Sequence, residues 1–294
     1  MDWIKKENKK ISLGIFQGRL SPSKGKGIQF FPFESWENEF SLAKEIGFEE
    51  IEFIFDKECY EENPLWSKDG LKKINQLQKK YGVVIHHICA DYFMRNPFFR
   101  VTAKIKKQNL VVLKRLLKAA AAIGAKNIEI PLVDNSSIKT DGEEKELTDA
   151  LSQVRPLAKS LGITIGLETD LPPKKFLSLL KRFNSETIKA NYDSGNSAAL
   201  GYNVVEELNT LSPYLANIHI KDRLLHGTTV PLGTGNTNFE KFFRTLKKNK
   251  YQGSMILQVA RGEDGKEKET LKSYINFIKN LIKKYYINFS PLTR

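Results

Sequence analysis

The chain alternates from end to end between two kinds of segment. Short apolar runs rich in β-branched residues are each followed by a loop and by a longer stretch whose apolar residues recur about every 3.6 positions. Eight strand-like runs occur, at residues 11–20, 48–56, 83–93, 127–134, 163–170, 188–196, 215–223 and 254–262. Because right-handed crossovers between parallel strands close at eight units, the pattern predicts an α/β fold, a single (β/α)8 barrel domain spanning residues 1–294.

Local signals mark the boundaries of these units. Asp69 and the pair Pro172–Pro173 open predicted helices, as does Ser35, and residues 286–294 are predicted to form a surface tail. The alternative fold is an open, doubly wound sheet, but the first strand-like run is not followed by the G-x-G-x-x-G fingerprint of its dinucleotide-binding forms. Four predicted helices end in a glycine suited to a left-handed C-cap: Gly47, Gly82, Gly124 and Gly162.

The charge balance bears on the class of partner. The net charge is +13 and the isoelectric point is near 9.5, which raises the question of nucleic-acid binding. Most of the excess is lysine spread along the polar faces of predicted helices, which is typical of solvated surfaces, so a nucleic-acid partner is not expected. The surplus would still attract anionic substrates such as sugar phosphates.

Three features of the sequence bear on the cellular compartment of the protein. No apolar run approaches the ~20 residues of a membrane span, and the first ten residues lack the apolar core of a signal peptide. The two cysteines, Cys59 and Cys89, are too few for a disulfide framework. We therefore expect a cytoplasmic protein without a membrane partner.

Alternation along the last four strands places polar groups inside the predicted barrel. Apolar neighbours face the helix layer, which turns Glu168, Asp193, His219 and Gln258 inward at the carboxyl ends of strands five to eight. Two carboxylates, an imidazole and an amide oxygen form a plausible shell for Mn²⁺, Mg²⁺, Co²⁺ or Zn²⁺. Each residue alone is as compatible with a loop cap, a salt bridge or a satisfied core histidine. Their matching parity on successive strands favours a divalent metal site.

Several motifs resemble a known family. They are LETD around Glu168, NYDSGN around Asp193, HIKD around His219 and the following VPLGTGNTNF, together with FQGRLSP, IQFFP and WENEF near the beginning. Over nearly the entire chain these resemble the xylose isomerase-like TIM barrels, which include sugar phosphate isomerases/epimerases and endonuclease IV. The resemblance implies a metal held by Glu168, Asp193, His219 and a final glutamate, with the two glutamates also moving the substrate proton.

Two positions depart from that pattern. Gln258 stands where the final glutamate is expected, and Asn196 stands where a histidine is common. A glutamine oxygen can bind a hard cation, but it adds no charge and cannot abstract a proton. A one-base epimerase, a lyase or dehydratase acting on a polyol or keto sugar, and a non-catalytic sugar-binding barrel all remain open.

The leading hypothesis is a metal-dependent sugar or sugar-phosphate isomerase/epimerase. The metal would chelate a substrate carbonyl and the adjacent hydroxyl and stabilise an enediolate, with Glu168 as the base. Lys221 would neutralise the developing oxyanion, or else form an ion pair with Asp193 or Glu168. A nuclease resembling endonuclease IV is the rival, but a trinuclear centre needs many imidazoles and the chain has four histidines.

Other polar residues are candidates for substrate binding. Glu52 faces inward on strand two, where a salt bridge is its competing role, and only one of His86 and His87 can face the barrel interior. The aromatic runs at 30–33 and 92–99 could form a lid or a homo-oligomer contact, although packing alone explains most such clusters. The remaining candidates are Gln17 and Arg19 after strand one, where a loop-locking role for Arg19 is the alternative, Asn196 after strand six, and Arg223 and Arg261 after strands seven and eight.

Overall fold

A computed structural model of the chain describes residues 11–287. Eight parallel strands form one closed barrel in chain order, and β8 pairs with β1. This confirms the predicted (β/α)8 architecture. The strands are β1 Ser12–Phe16, β2 Glu50–Ile54, β3 His87–Cys89, β4 Asn127–Leu132, β5 Thr164–Thr169, β6 Ile188–Asp193, β7 Leu215–Ile220 and β8 Ser254–Leu257.

The strands are shorter than the apolar runs that predicted them. The third is the clearest case, because residues 83–93 were expected to be extended and β3 contains only His87–Cys89. Before it, Val84 forms a single bridge to Glu50, and after it the chain turns at Asp91 into a helix. Apolar composition marks a buried segment, whereas the strand itself requires a continuous hydrogen-bonded partner.

Helices surround the barrel and connect the strands. The four glycine caps are confirmed, with φ of 98° at Gly47, 66° at Gly82, 81° at Gly124 and 68° at Gly162. The helices are α1 Trp36–Ile46, α2 Lys68–Tyr81, α3 Tyr92–Arg95, α4 Ala103–Ile123, α5 Asp141–Ser152, α6 Arg155–Leu161, α7 Pro173–Phe183, α8 Ser194–Ala199, α9 Val204–Leu211, α10 Phe239–Lys248 and α11 Glu267–Leu281, with short 3-10 turns at Tyr60–Glu62, Pro64–Trp66, Asp134–Ser136 and Ser212–Tyr214.

The predicted helix starts are right for two helices and displaced for one. Ser35 and Pro172 directly precede α1 and α7. The second helix begins at Lys68 rather than after Asp69, because the Ser67 hydroxyl accepts a hydrogen bond from Gly70 N and caps it two residues earlier.

The last described segment is more ordered than the predicted tail. Residues Ile282–Ile287 form a π-helix in which the Tyr286 hydroxyl donates to the Tyr251 carbonyl oxygen. The first two positions of the predicted tail, 286 and 287, lie in this helix, and residues 288–294 lie outside the described part of the chain. Among residues 11–287, no helix is both long and apolar enough to cross a bilayer.

The barrel has an apolar outside and a charged inside. Outward residues such as Ile128, Ile130 and Leu167 are fully buried against the helices. Inside, carboxylates of β2 and β4 reach a histidine of β7, a contact that only a closed barrel permits. Since unpaired buried charges destabilise a fold by several kcal/mol, this interior points to a functional role.

Candidate functional site

The structure brings three of the predicted ligands together. Glu168 lies near the end of β5, Asp193 ends β6, and His219 lies beside Asp193 on β7. Their ligand atoms all lie within 4.8 Å of one another, and all three residues are buried. His219 Nδ1 is 3.3 Å from Glu168 Oε2 and 4.0 Å from Asp193 Oδ2. Strand parity therefore located this cluster correctly.

The carboxylate of Asp193 performs two tasks. Its Oδ1 accepts hydrogen bonds from the backbone N–H groups of Gly195 and Asn196, both at 2.8 Å, and thereby caps α8. Its Oδ2 lies 2.9 Å from Lys221 Nζ. Of the alternatives for Lys221, the ion pair with Asp193 is the contact observed. A Cβ at Gly195 would collide with the Lys221 side chain, so glycine is required for this close approach.

Asn196 connects the loop after β7 to Glu168. Its Nδ2 donates to Glu168 Oε1 at 2.6 Å, and its Oδ1 accepts from Arg223 Nη1 at 2.8 Å. Arg223 also donates from Nε and Nη2 to the carbonyl oxygen of Gly227. Arg223 therefore holds its own loop and orients Asn196, and a role for it in substrate binding stays a prediction.

A second cluster lies on the other side of His219. His219 Nε2 is 2.7 Å from Glu52 Oε2 and 3.4 Å from Glu129 Oε2. Glu52 was predicted to bind sugar hydroxyls, but its carboxylate is engaged by His219 and by Asn217 Nδ2, the competing salt-bridge role. Glu129 was not among the residues predicted for the site, although its alternation with the apolar Ile128 and Ile130 indicates that it faces inward.

Burial and charge set the protonation of this centre. Burial opposes ionisation of Glu168, but hydrogen bonds with His219 and Glu129 and the charges of His219 and Lys221 outweigh it and hold the pKa of Glu168 below its usual range. Burial raises the pKa of Glu129 well above its usual range, and the Glu168 charge raises it further. The Glu129 carboxyl therefore ionises less readily than its neighbour Glu168.

The surrounding carboxylates also shift the pKa of the imidazole. Burial opposes a charge on His219, but the charges of Glu52 and Glu129 and hydrogen bonds to Glu168 and Glu52 raise the pKa of His219 well above its usual range. A positive charge in this place is what the surrounding carboxylates require.

The donor set fits a divalent cation. The buried carboxylates of Glu52, Glu129, Glu168 and Asp193 surround one imidazole, an excess of negative charge that a cation would balance. Glu129 Oε2 and Gln258 Oε1 are buried and accept no hydrogen bond from the described residues. Oxygen and imidazole donors suit Mn²⁺, Mg²⁺, Co²⁺ and Zn²⁺.

Gln258 belongs to a hydrogen-bonded chain that sequence reasoning missed. It follows β8, and its Nε2 donates to Gln29 Oε1 at 3.1 Å. Gln29 Nε2 in turn donates to Asp91 Oδ2. The three residues come from loops after β8, β1 and β3, and no local pattern joins them.

Two arginines predicted to bind substrate contact backbone oxygens instead. Arg19 donates from Nε to the Val259 carbonyl oxygen at 2.8 Å and from Nη1 to that of Ile28, so it locks loops together through backbone oxygens. Arg261 donates to the Ile28 and Ser21 carbonyl oxygens and stacks on an aromatic ring. Arg19 and Arg261 thus both bind backbone oxygens of neighbouring loops, while Arg261 Nη2 is buried without a hydrogen-bond partner in the described part of the chain.

Two further assignments change. His86 precedes β3 at the amino end of the barrel, where its Nδ1 lies 3.4 Å from Glu50 Oε1, so its assignment to the substrate site is wrong. His87 is the buried member of the pair. Gln17 Oε1 accepts from Ile54 N at 2.9 Å and ties β1 to β2, while its amino group has no partner in the described part of the chain.

The HIKD and GTG motifs are explained by one carboxylate. Asp222 is fully buried and accepts backbone hydrogen bonds from Gly233, Gly235 and Thr237 at 2.8, 2.9 and 3.0 Å. A Cβ on Gly235 would collide with this carboxylate. The motif therefore organises the loop after β7 that carries Arg223.

Comparison with known proteins agrees with the fold. A family model described as the xylose isomerase-like TIM barrel matches residues 40–281. The chain belongs to this family. The resemblance seen in the sequence motifs is thus confirmed for the xylose isomerase-like TIM barrels.

Two relatives of this chain are named as epimerases. The chain is 28% identical to the putative L-ribulose-5-phosphate 3-epimerase SgbU of Haemophilus influenzae, over 85% of this chain and 89% of the relative. It is 24% identical to the L-ribulose-5-phosphate 3-epimerase UlaE of Salmonella heidelberg, over 86% and 88%. These relatives support an enzyme of the sugar isomerase/epimerase kind.

A solved structure adds the fold comparison. The crystal structure of the IOLI protein with a bound zinc atom superposes with a TM-score of 0.75 at 18% identity, covering 94% of this chain and 99% of that one. The fold of this xylose isomerase-like barrel is therefore shared across nearly the whole chain.

Proposed function

We propose that the chain is a divalent-cation-dependent epimerase of a ketose phosphate, with an L-ribulose 5-phosphate-like substrate. The observation that carries the proposal is the convergence of Glu168, Asp193 and His219 within 4.8 Å at the carboxyl ends of adjacent strands. The epimerase relatives and the basic charge of the chain support the substrate class.

Glu168, Asp193 and His219 would hold the cation, with Gln258 Oε1 as a neutral fourth donor. A bound divalent cation supplies electrostatic stabilisation of the negative charge that develops when a proton leaves the carbon next to a carbonyl. Asp193 keeps its position through its cap on α8, and His219 through Glu52.

Glu168 removes the substrate proton in this proposal. It is buried, and Asn196 Nδ2 donates to its Oε1 and so fixes the direction of the carboxylate, as a positioned base requires. Lys221 Nζ, beside Asp193, supplies a positive charge near the developing oxyanion.

Return of the proton distinguishes this chain from the family pattern. Gln258 cannot carry a proton, so a symmetrical exchange between two glutamates is closed to it. The proposal is a one-base pathway in which Glu168 acts from one face and the opposite face is protonated by solvent.

Proton exchange tests the proposal directly. The purified chain is incubated with Mn²⁺ and L-ribulose 5-phosphate in D₂O, and proton NMR follows carbon 3. We expect loss of the carbon 3 proton signal together with formation of the 3-epimer. A folded chain that exchanges neither this substrate nor a panel of free and phosphorylated ketoses refutes the proposal: binding without exchange identifies a sugar-binding barrel, and loss of water identifies a dehydratase.

A further inference from the structure

Three polar side chains form a hydrogen-bonded series at the mouth of the barrel, in which each donor points the same way. Gln258 Nε2 donates to Gln29 Oε1 at 3.1 Å, and Gln29 Nε2 donates to Asp91 Oδ2. Asp91 and Gln258 are each 5% exposed, so both ends of this hydrogen-bonded series are shielded from water. Gln258 Oε1 is buried and receives no hydrogen bond from the described residues.

The Asp91 carboxylate determines the direction of these hydrogen bonds. An ionised carboxylate only accepts hydrogen bonds, so Gln29 must turn its amino group toward Asp91 and its carbonyl oxygen toward Gln258. A carbonyl oxygen also only accepts hydrogen bonds, so Gln258 must donate to it from its amino group. The Gln258 oxygen is then directed away from Gln29.

The orientation of the Gln258 amide matters because glutamine and glutamate differ as cation ligands. Either oxygen of a carboxylate can bind a cation. An amide has one oxygen and one amino group, and the amino group would repel a cation. A protein with glutamine after β8 therefore needs contacts that select the orientation of the amide.

We infer that Asp91 and Gln29 are positioning residues that present the Gln258 carbonyl oxygen, rather than its amino group, as a neutral donor to the divalent cation. This inference rests on the proposed function, because it requires the cation site at Glu168, Asp193 and His219. It assigns roles to two residues from the loops after β1 and β3 that do not bind the cation themselves.

Mn²⁺ binding to the full-length chain, measured by calorimetric titration, tests the inference. Four proteins are compared: the wild type, Gln29→Met, Gln258→Glu, and the double variant. Gln29→Met removes the donor and acceptor at similar side-chain size. We expect it to weaken Mn²⁺ binding by about tenfold in the wild-type background, as is typical when a residue that orients a ligand is lost. In the Gln258→Glu background the same substitution should change binding by less than about twofold, because a carboxylate needs no such orientation.

A second variant and a control complete the design. Asp91→Ala should reproduce the Gln29→Met pattern, and since Asp91 makes no side-chain capping bond to α3, its loss removes no cap. Gln153→Met, at an exposed glutamine that bonds within its own helix region, should leave Mn²⁺ binding unchanged. Circular dichroism and Tm confirm that each variant is folded.

The outcomes separate the inference from the function on which it rests. If the wild type binds Mn²⁺ but Gln29→Met and Asp91→Ala do not weaken binding, or weaken it equally in both backgrounds, the positioning role is overturned while the cation site stands. If the folded wild type binds no Mn²⁺, the cation site itself is refuted, and the inference with it.

Discussion

His219 Nε2 lies 2.7 Å from Glu52 Oε2 in the fully buried centre of the barrel. The opposite ring nitrogen, Nδ1, faces Glu168 and Asp193. Histidines that bind metals usually donate the N–H of their other ring nitrogen to a carboxylate, which fixes the ring and its tautomer. Glu52 is in the place of that carboxylate, which assigns Nδ1 as the nitrogen available to a cation.

Replacing Glu52 with glutamine should weaken Mn²⁺ binding by about 10- to 100-fold. Glutamine has no negative charge, and its amino group could donate to Nε2 and so move the ring proton to Nδ1. Calorimetric titration measures the effect. Glu50→Gln is the matched control, because Glu50 is also buried on β2 but contacts Ser254 and His86. Equal losses in both variants would contradict an orienting role for Glu52.

Replacing Glu168 with glutamine should slow exchange of the substrate carbon 3 proton by about 10²- to 10⁴-fold. Glutamine preserves size and can still accept from Asn196, but it cannot take up a proton. The rate is measured in D₂O at saturating Mn²⁺, so that weaker cation binding does not limit it. Exchange within about tenfold of the wild-type rate would remove Glu168 from the role of base.

Replacing Lys221 with methionine should change binding and rate in opposite directions. The ammonium group beside Asp193 repels a cation, so its loss should tighten Mn²⁺ binding by about fivefold. The same loss removes a charge near the developing oxyanion and should lower turnover by about 10²-fold. Lys189→Met, elsewhere on β6, controls for net charge. If the Lys221 variant binds Mn²⁺ no more tightly than the wild type, the repulsion argument is wrong.

Glu39→Gln should stabilise the fold at alkaline pH. Burial raises the pKa of Glu39 to about 7, against hydrogen bonds from Gly18 N and the Ser21 hydroxyl. A folded-state pKa above the unfolded value of 4.5 favours the protonated carboxyl, so stability is present below about pH 4.5 and is lost as the pH rises through about 7.

Glutamine mimics the protonated form of Glu39. The stability gain of the variant over the wild type should therefore grow by about 2–3 kcal/mol between pH 5 and pH 8. Urea unfolding at both pH values measures it. Glu37→Gln on the same helix, whose partner is the surface residue Lys73, should show no such growth. A pH-independent difference for Glu39→Gln would rule out a buried, protonated Glu39.

Local chemistry explains why much of the fold could be predicted. The glycine caps require positive φ, which glycine adopts without strain, and all four ended their helices as expected. The strand alternation that turned Glu168 and His219 inward depends only on the extended backbone. Helix α2 shows the limit of such signals, since Ser67 rather than Asp69 determines where it begins.

The arginines show why site assignments were harder. Arg19 and Arg261 stand after strands, where substrate-binding residues are common. The backbone oxygens that bind them belong to loops distant in sequence, Val259 for Arg19 and Ser21 for Arg261. A sequence position gives the end of the barrel but not the partner that a long side chain finds there.

By itself, the sequence determined eight strand and helix units, the cap positions and the inward parity of Glu168, Asp193 and His219, because these depend on backbone preferences within a few residues. Only the tertiary structure decided that Glu52 and Glu129 meet His219, and that Gln29 joins Gln258, 229 residues away in the chain. The physical reason is closure. Residues on opposite strands of a closed barrel contact one another through its interior, and the stagger of all eight strands determines which residues lie at the same height.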